Sequence, residues 1–155
     1  ADPVSALDQR WHPVVTVATV VVRDDRFLQV EEAIGGRLML NQPAGHLEPN
    51  ESLLDAAVRE TLEETGWDVH LTQFIGTYQW VAPSGQCFLR FAFAADPLTH
   101  YPERRLDTGV VRARWMTQEE LRASTEHLRS PLVWEIVADY LAGQRYPLSL
   151  VRQVA

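Results

Sequence analysis

The segment GHLEPNESLLDAAVRETLEETGW, residues Gly45–Trp67, combines the apolar spacing of a buried helix with a concentration of carboxylates. On a helix that turns by about 100° per residue, the positions from Glu51 to Thr65 separate into two faces. One face is predicted to pack against a sheet, and it carries Leu54, Ala57, Val58, Thr61, Leu62 and Thr65. The segment therefore predicts an amphipathic helix that is anchored on strands.

The opposite face of this helix collects three glutamates, Glu60, Glu63 and Glu64. Their Cβ atoms would lie roughly 5–6 Å apart, and each like-charge pair costs a few tenths of a kcal/mol in an isolated helix. The helix dipole adds to this cost because it disfavours negative charge near the C-terminus. A solvated acidic face is one interpretation. The other is a compensating cation, and Mg²⁺ prefers carboxylate and water oxygens combined with substrate phosphates.

Length, charge and cysteine content limit the class of protein. The 155 residues suit one domain, 1–155, and the net charge of -7 argues against binding nucleic acid polymers or anionic membranes. Cys87 is the single cysteine, so no internal disulfide can form and a cytoplasmic location is expected. Residues Ala1–Arg10 lack the features of a signal peptide, and no window resembles a membrane span. A monomer is the default expectation.

Runs of β-branched and aromatic residues predict strands on both sides of the helix. The predicted strands are Val14–Arg23, Arg26–Glu32, Leu38–Pro43, Asp68–Ala82, Cys87–Ala95 and Val110–Met116. Asp24-Asp25 predicts a hairpin turn. Asp96–Gly109 shows neither the helical nor the strand spacing of apolar residues and is predicted to be a loop. A capping box at Thr117 and a Ser130-Pro131 cap predict two C-terminal helices. This order predicts an α+β fold in which helices cover a mixed sheet.

The glycines and charged residues of the acidic segment stand at a specific spacing. The pattern G-x5-E-x7-R-E-x-x-E-E-x-G is formed by Gly45, Glu51, Arg59-Glu60, Glu63-Glu64 and Gly66. It resembles the signature of the Nudix hydrolases and matches that signature at every charged and glycine position. Thr61 is a departure, because the family usually has an aliphatic residue there, and its methyl group is expected to face the core.

The resemblance implies an α/β/α sandwich whose loop-helix-loop carries the catalytic residues. It also implies hydrolysis of a diphosphate linked to another group, with Mg²⁺ or with Mn²⁺ as a possible substitute. Glu60, Glu64 and the Gly45 carbonyl are the implied metal ligands, and Glu63 is implied as a further ligand or as the base. Such a metal neutralises phosphate oxygens and lowers the pKa of a bound water.

Neighbouring charged residues are assigned supporting roles. Arg59 is expected to pair with Glu51 and hold the loop against the helix, the alternative being a surface ion pair worth under about 1 kcal/mol. Glu48 is a candidate contact for the metal and substrate, or a solvated loop carboxylate. Several Nudix enzymes draw another acid from the region before the late tryptophan. Here Asp107 is the candidate, with Glu103 second, and the identity of the base stays open.

Further stretches resemble one bacterial subgroup of the family, the NudJ-type phosphatases, from about His12 to about Leu150. They are NQPAGHLE (Asn41–Glu48), QWVAPSG (Gln79–Gly85), FLRFAF (Phe88–Phe93), LRSPLV (Leu128–Val133) and GQRYPL (Gly143–Leu148). The subgroup implies removal of the terminal phosphate, as orthophosphate, from nucleoside tri- and diphosphates. It also implies action on hydroxymethylpyrimidine pyrophosphate and thiamine pyrophosphate.

Such substrates share an aromatic ring, on which aromatic side chains can stack without regard to its identity. Trp80, Tyr78 and Trp11 are the candidates, although a core or sheet-face role is the alternative for each. Arg90 interrupts an apolar strand and either forks onto phosphate oxygens or points outward. Weaker phosphate candidates are Arg129 and Arg145.

Two histidines lie near the predicted site, His46 and His12. Mg²⁺ disfavours imidazole, so both are expected to bind substrate or to be structural.

Two other functions compete with the terminal phosphatase. One is a Nudix pyrophosphohydrolase that releases pyrophosphate and a nucleoside monophosphate. The other is a non-catalytic Nudix-fold ligand sensor, against which the intact set of glutamates argues.

Overall fold

The computed structural model describes residues 10–155, so most of the segment Ala1–Arg10 lies outside the described residues. The strands are β1 (Val14–Arg23), β2 (Arg26–Ile34), β3 (Arg37–Asn41), β4 (Ala44–His46), β5 (Trp67–Val81), β6 (Cys87–His100) and β7 (Val110–Thr117). The helices are α1 (Leu53–Thr65), α2 (Gln118–Ala123) and α3 (Pro131–Leu141), with short 3-10 turns at Thr125–His127 and Leu148–Leu150. No helix among residues 10–155 is long and apolar enough to cross a membrane.

The strands form a mixed sheet, as the sequence predicts. β1 is parallel to β6 and antiparallel to β4, while β6 also pairs with β5 and β2 pairs with β3 and β7. β1 and β2 meet at a hairpin whose turn residues, Asp24 and Asp25, have φ values of 51° and 60°. Positive φ at both central residues is what a two-residue type I′ turn requires, and aspartate tolerates it.

Alternate residues of β6 face opposite layers. Ala92 and Ala94 belong to an apolar cluster that includes Ile136 of α3. Phe93 and Ala95 belong to a second cluster that contains residues of α1. Because side chains of a strand point alternately to its two faces, the sheet is covered on both sides. The α/β/α arrangement is therefore confirmed.

The prediction of a loop over Asp96–Gly109 is wrong for its first part. β6 continues to His100, where it pairs with Trp67 at the start of β5. Register shifts along this pair hide the period-two pattern that would have indicated a strand. The loop that remains comprises residues 101–109. Strand β4 was not predicted, because its three residues gain strand geometry only by pairing with β1.

The acidic segment forms α1, which begins at Leu53 and not at Glu51. The Ser52 side chain accepts a hydrogen bond from Asp55 N and caps the helix, and Gly66, with φ of 75°, ends it. Most of the predicted apolar face lies against the sheet. The neighbouring Ala56 and Glu64 are also buried, so the buried stripe is wider than the sequence pattern indicated.

Thr61 does more than turn its methyl group toward the core. Its hydroxyl lies 2.7 Å from the Thr19 hydroxyl of β1 and 2.7 Å from the Ala57 carbonyl, and both threonines are fully buried. Thr61 has one proton and can donate it to the carbonyl one turn before. The Thr19 hydroxyl then donates to Thr61, so a polar pair occupies the place of an aliphatic contact.

The C-terminal helices have the predicted caps. At α2 the Thr117 side chain accepts from Glu120 N, and the Glu120 side chain accepts from Thr117 N. At α3 the Ser130 side chain caps a helix whose first residue is Pro131. These helices complete the layer that packs on the second face of the sheet.

Candidate active site

A cavity of about 760 Å³ opens where β4, the C-terminal half of α1 and the loop before β7 meet the tip of the β5–β6 hairpin. Its lining brings together seven of the candidate residues, namely Gly45, Glu48, Glu60, Glu64, Trp80, Arg90 and Asp107. His46 and Arg129 also line it. The volume lies in the range of pockets that bind small molecules.

Three carboxylates converge at one end of the cavity. An oxygen of each of Glu60, Glu64 and Asp107 lies within 4.8 Å of the others. Asp107 is held there by its backbone, because its N–H donates to the Glu63 carbonyl over 3.1 Å. Three hard oxygen donors at this separation suit a divalent cation such as Mg²⁺.

The pKa of Glu64 is raised mainly by burial. Its side chain is 9% exposed, and burial raises its pKa to about 8. The Ala44 N–H, which donates to Glu64 Oε1 over 2.7 Å, opposes the shift, and the charges of Glu60 and Asp107 increase it. Burial also raises the pKa of Glu60, against the favourable contact with Arg59. The cluster is therefore poorly compensated by protein cations, and a bound metal would hold both glutamates ionised.

Gly45 fits this site because it has no side chain. A Cβ atom there would overlap the Glu60 carboxylate. Gly45 pairs with Val17 of β1, so the strand register holds its backbone close to the acidic cluster. The residues present therefore fit a divalent metal, with Glu60, Glu64 and Asp107 as the oxygen donors.

Arg59 pairs with Glu51 of the loop before α1. Its Nε and Nη2 atoms donate to the two oxygens of Glu51 over 2.9 and 2.7 Å. Nη1 reaches Glu60 and Glu63 over 2.8 and 3.1 Å, and Nη2 also donates to the His46 carbonyl over 3.0 Å. The pKa of Glu51 is lowered, chiefly by its hydrogen bonds with Arg59. One guanidinium thus fixes both ends of the loop.

Glu63 differs from Glu60 and Glu64 in its surroundings. It does not line the cavity, and its carboxylate receives the Arg59 hydrogen bond instead. Its assignment as a further metal ligand or as the base stays a prediction. The three-acid cluster has Asp107 in the place where the sequence stretch alone suggested Glu63.

Arg90 points into the cavity and not outward. It is 9% exposed, and its nearest polar partners are the Thr16 hydroxyl at 3.4 Å and Gln42 Oε1 at 3.5 Å. Burial lowers its pKa to about 10, while the charges of Glu64 and Glu32 oppose the shift. The arginine remains a cation at neutral pH and can bind phosphate oxygens.

Trp80 supplies an aromatic wall to the cavity, together with Phe88. Their ring centroids are 5.7 Å apart at an interplanar angle of 27°. Tyr78 does not line the cavity, since its hydroxyl donates to Asp139 over 2.7 Å against the second helical layer. Trp11 is 77% exposed and is also absent from the lining. Trp80 is thus the candidate best placed to stack on a substrate ring.

The weaker candidates divide in the same way. Arg129 lines the cavity and has Glu32 at 3.7 Å. Arg145 lies over the Tyr140 ring at 4.1 Å, outside the lining. Glu103 and His12 also lie outside it. The cavity therefore has Arg90 and Arg129 as its arginines.

No role was predicted for four polar residues near the cavity, namely Glu32, Asn41, Thr16 and Gln42. Asn41 and Thr16 are buried lining residues, and Gln42 donates to the Val133 carbonyl while its oxygen faces Arg90. Asn41 Oδ1 is buried without a hydrogen-bond partner among residues 10–155. The stretch NQP (Asn41–Pro43), shortly before Gly45, could have indicated them, because binding residues are often found where a strand passes into a connecting segment.

Comparison with known proteins places this geometry in a family. The profile of the NUDIX domain matches residues 12–135. Phosphatase NudJ from Escherichia coli is 46% identical over 141 residues, which cover 91% of this chain and 92% of that protein, and the same values hold for Phosphatase NudJ from Shigella flexneri. A solved NUDIX hydrolase from Nitrosomonas europaea superposes with a TM-score of 0.90 at 46% identity, covering 92% of this chain and 98% of the other. The chain therefore belongs to the NUDIX family and is a Nudix hydrolase, an enzyme that acts on phosphoanhydrides.

Proposed function

We propose that this enzyme removes the terminal phosphate of nucleoside tri- and diphosphates, and of hydroxymethylpyrimidine and thiamine pyrophosphates, with release of orthophosphate. The 46% identity to Phosphatase NudJ over nearly the full length of both chains carries the proposal. The cavity supports it, because a single aromatic wall at Trp80 suits substrates that share a planar ring and differ in its chemistry.

The proposed metal is Mg²⁺, with Mn²⁺ as a possible substitute. Glu60 and Glu64 are its proposed ligands, together with the Gly45 carbonyl, and Asp107 is the proposed third carboxylate. When bound, the metal would neutralise phosphate oxygens and lower the pKa of a coordinated water. The observation in favour is that burial, and to a smaller extent neighbouring carboxylates, raise the pKa of both glutamates, which a cation would reverse.

The protein's own groups have distinct proposed roles. Arg90 binds oxygens of the phosphate chain from the buried side of the cavity, while Glu48 contacts the metal or the substrate at its rim. Arg59 and Glu51 hold the loop that follows β4, the strand that carries Gly45. Positioning and charge stabilisation of this kind provide most of the rate in phosphoryl transfer. Glu63 is retained as a candidate base.

We also propose one domain over 1–155 that acts as a cytoplasmic monomer. The single cysteine and the absence of an internal disulfide support a reducing compartment. Sedimentation of the purified chain would test the monomer.

A substrate panel with product analysis tests the proposed reaction. Nucleoside triphosphates, nucleoside diphosphates and thiamine pyrophosphate are incubated with and without Mg²⁺, and orthophosphate and pyrophosphate are quantified separately. Orthophosphate with the next lower phosphate is expected. Pyrophosphate with a nucleoside monophosphate would replace the proposal with a pyrophosphohydrolase. A Glu60→Gln variant that hydrolyses as fast as the wild type would contradict the metal assignment.

A further inference from the structure

A second cavity, of about 520 Å³, lies beside the loop 101–109 and has a lining opposite in charge to the protein as a whole. The chain has a net charge of -7, yet every charged residue of this lining is an arginine, namely Arg23, Arg104 and Arg112. His100 adds an imidazole. Even in an acidic protein, a concave surface whose charged residues are all cations attracts anions locally.

Two of these arginines have no ion-pair partner among residues 10–155. Arg112 is bound to Glu31 over 2.8 Å, but no carboxylate among residues 10–155 lies within 4.0 Å of the Arg23 or Arg104 guanidinium. Neither of the two side chains donates a hydrogen bond to another described residue. Their donors are therefore available to a ligand.

Arg23 is held in position by aromatic rings. Its guanidinium lies 5.0 Å from the centroid of Trp67 and 4.4 Å from that of Trp115. The two indoles meet edge to face at 5.6 Å, and His100 stacks on Trp67 at 4.5 Å. The rings hold the guanidinium without a carboxylate partner, which leaves its charge available to an oxyanion.

We propose that this cavity binds the phosphate group of a small ligand, with Arg23 and Arg104 as the residues that hold it. The volume is sufficient for a nucleoside monophosphate and more than sufficient for orthophosphate. Arginine is suited to phosphate because its forked donors match the spacing of the oxygens. The site is separate from the acidic cavity, and its existence does not depend on the proposed function.

The position of the site links it to the acidic cluster. Leu106 lines the basic cavity, and the next residue, Asp107, lines the acidic cavity. The same loop is tied to α1 at both ends, by Tyr101 N–H to the Gly66 carbonyl at 2.8 Å and by Asp107 N–H to the Glu63 carbonyl at 3.1 Å. A ligand that fixes the loop from the basic side therefore favours the placement of Asp107 beside Glu60 and Glu64.

The test is a two-dimensional NMR titration of the ¹⁵N-labelled full chain in Mg²⁺ buffer. One arm adds orthophosphate, a second adds adenosine monophosphate, and a third adds sodium chloride at equal ionic strength. The indole N–H signals of Trp67 and Trp115 report on the basic cavity. The amide of Asp107, which lines the acidic cavity, reports on the link only where its shift is lost in Arg104→Ala. The variants are Arg104→Ala and Arg23→Lys, with Arg105→Ala as the matched control, because Arg105 neighbours Arg104 but does not line the cavity.

Saturable shifts of both indoles in a phosphate arm are expected, with binding at least tenfold weaker in Arg104→Ala and unchanged in Arg105→Ala. Saturation in the orthophosphate arm identifies the free anion as sufficient, whereas saturation in the nucleotide arm alone identifies a ligand with a base. Indole signals that stay fixed, or that move equally with chloride, would overturn the site. Indole shifts with no change at the Asp107 amide would overturn its link to the acidic cluster.

Discussion

Replacing Thr61 by valine is expected to destabilise the enzyme, although valine is close to what the family usually has at this position. The Thr19 and Thr61 hydroxyls are 2.7 Å apart and fully buried. The Thr61 hydroxyl donates its hydrogen bond to the Ala57 carbonyl, so the Thr19 hydroxyl depends on Thr61 as its acceptor. Valine at position 61 leaves the Thr19 donor buried without a partner, which costs about 1–3 kcal/mol.

The same change at the partner residue, Thr19→Val, is expected to destabilise the enzyme less. Thr19→Val leaves the Thr61 hydroxyl bonded to the Ala57 carbonyl, and a well-packed loss of one hydrogen bond costs roughly 1 kcal/mol. In the double variant Thr19→Val/Thr61→Val both polar groups are gone and shape is kept, so stability is expected to return to within about 1 kcal/mol of the wild type. The two changes therefore couple by roughly 1–4 kcal/mol, and the double variant is more stable than the sum of the single losses predicts.

Thermal unfolding followed by circular dichroism measures all four proteins of this cycle, in EDTA so that metal binding does not contribute to stability. For a domain of this size each kcal/mol shifts Tm by roughly 2–4 °C. The single variant Thr61→Val should thus lose several degrees and the double variant should regain most of them. Additive losses in the double variant, or an unchanged Thr61→Val, would refute the hydroxyl pairing. Hydrolysis by the double variant should stay close to the wild type, because neither threonine lines the acidic cavity.

Three further predictions concern the acidic cavity. Gly45→Ala should lower metal-dependent turnover at least about a hundredfold, because the new Cβ would displace the Glu60 carboxylate. A hundredfold loss corresponds to a rise of about 2.8 kcal/mol in the activation free energy. Gly76→Ala is the matched control, because a Cβ there meets ordinary contacts. The metal-free enzyme should lose stability as pH rises from the ordinary carboxyl range toward 8. The reason is that Glu64 stays protonated in the folded state to about pH 8, whereas in the unfolded chain it has already ionised. Tm measured against pH in EDTA should fall less steeply in Glu64→Gln than in the wild type. Arg90→Met should raise KM at least tenfold with an equal or higher Tm, because it removes a desolvated charge; a KM unchanged in steady-state assays would contradict a phosphate contact.

Local patterns in the sequence predict the acidic half of the site, and non-local pairing determines the rest. The helix and its glycine and glutamate spacing lie within one continuous segment, so the signature is visible without a structure. Asp107 joins the cluster only because its loop is bonded to the end of α1, which no spacing indicates. The same holds for β6 beyond Ala95, whose strand geometry depends on its pairing with β5. For Tyr78, an aromatic at strand spacing could not be assigned to the cavity or to the Asp139 contact without the fold.

The charges of the cavity indicate why one type of ligand fits it. The single guanidinium of Arg59 contacts several carboxylates. Of the acidic cluster it contacts Glu60, but not Glu64 or Asp107. Arg90 is a buried cation with no carboxylate among residues 10–155 within 4.0 Å of its guanidinium. The acidic cluster and Arg90 thus have opposite charge and line the same cavity, but they do not form an ion pair with each other. A divalent metal that carries a phosphate chain is complementary to both, since the metal meets the acids while the phosphate meets the arginine.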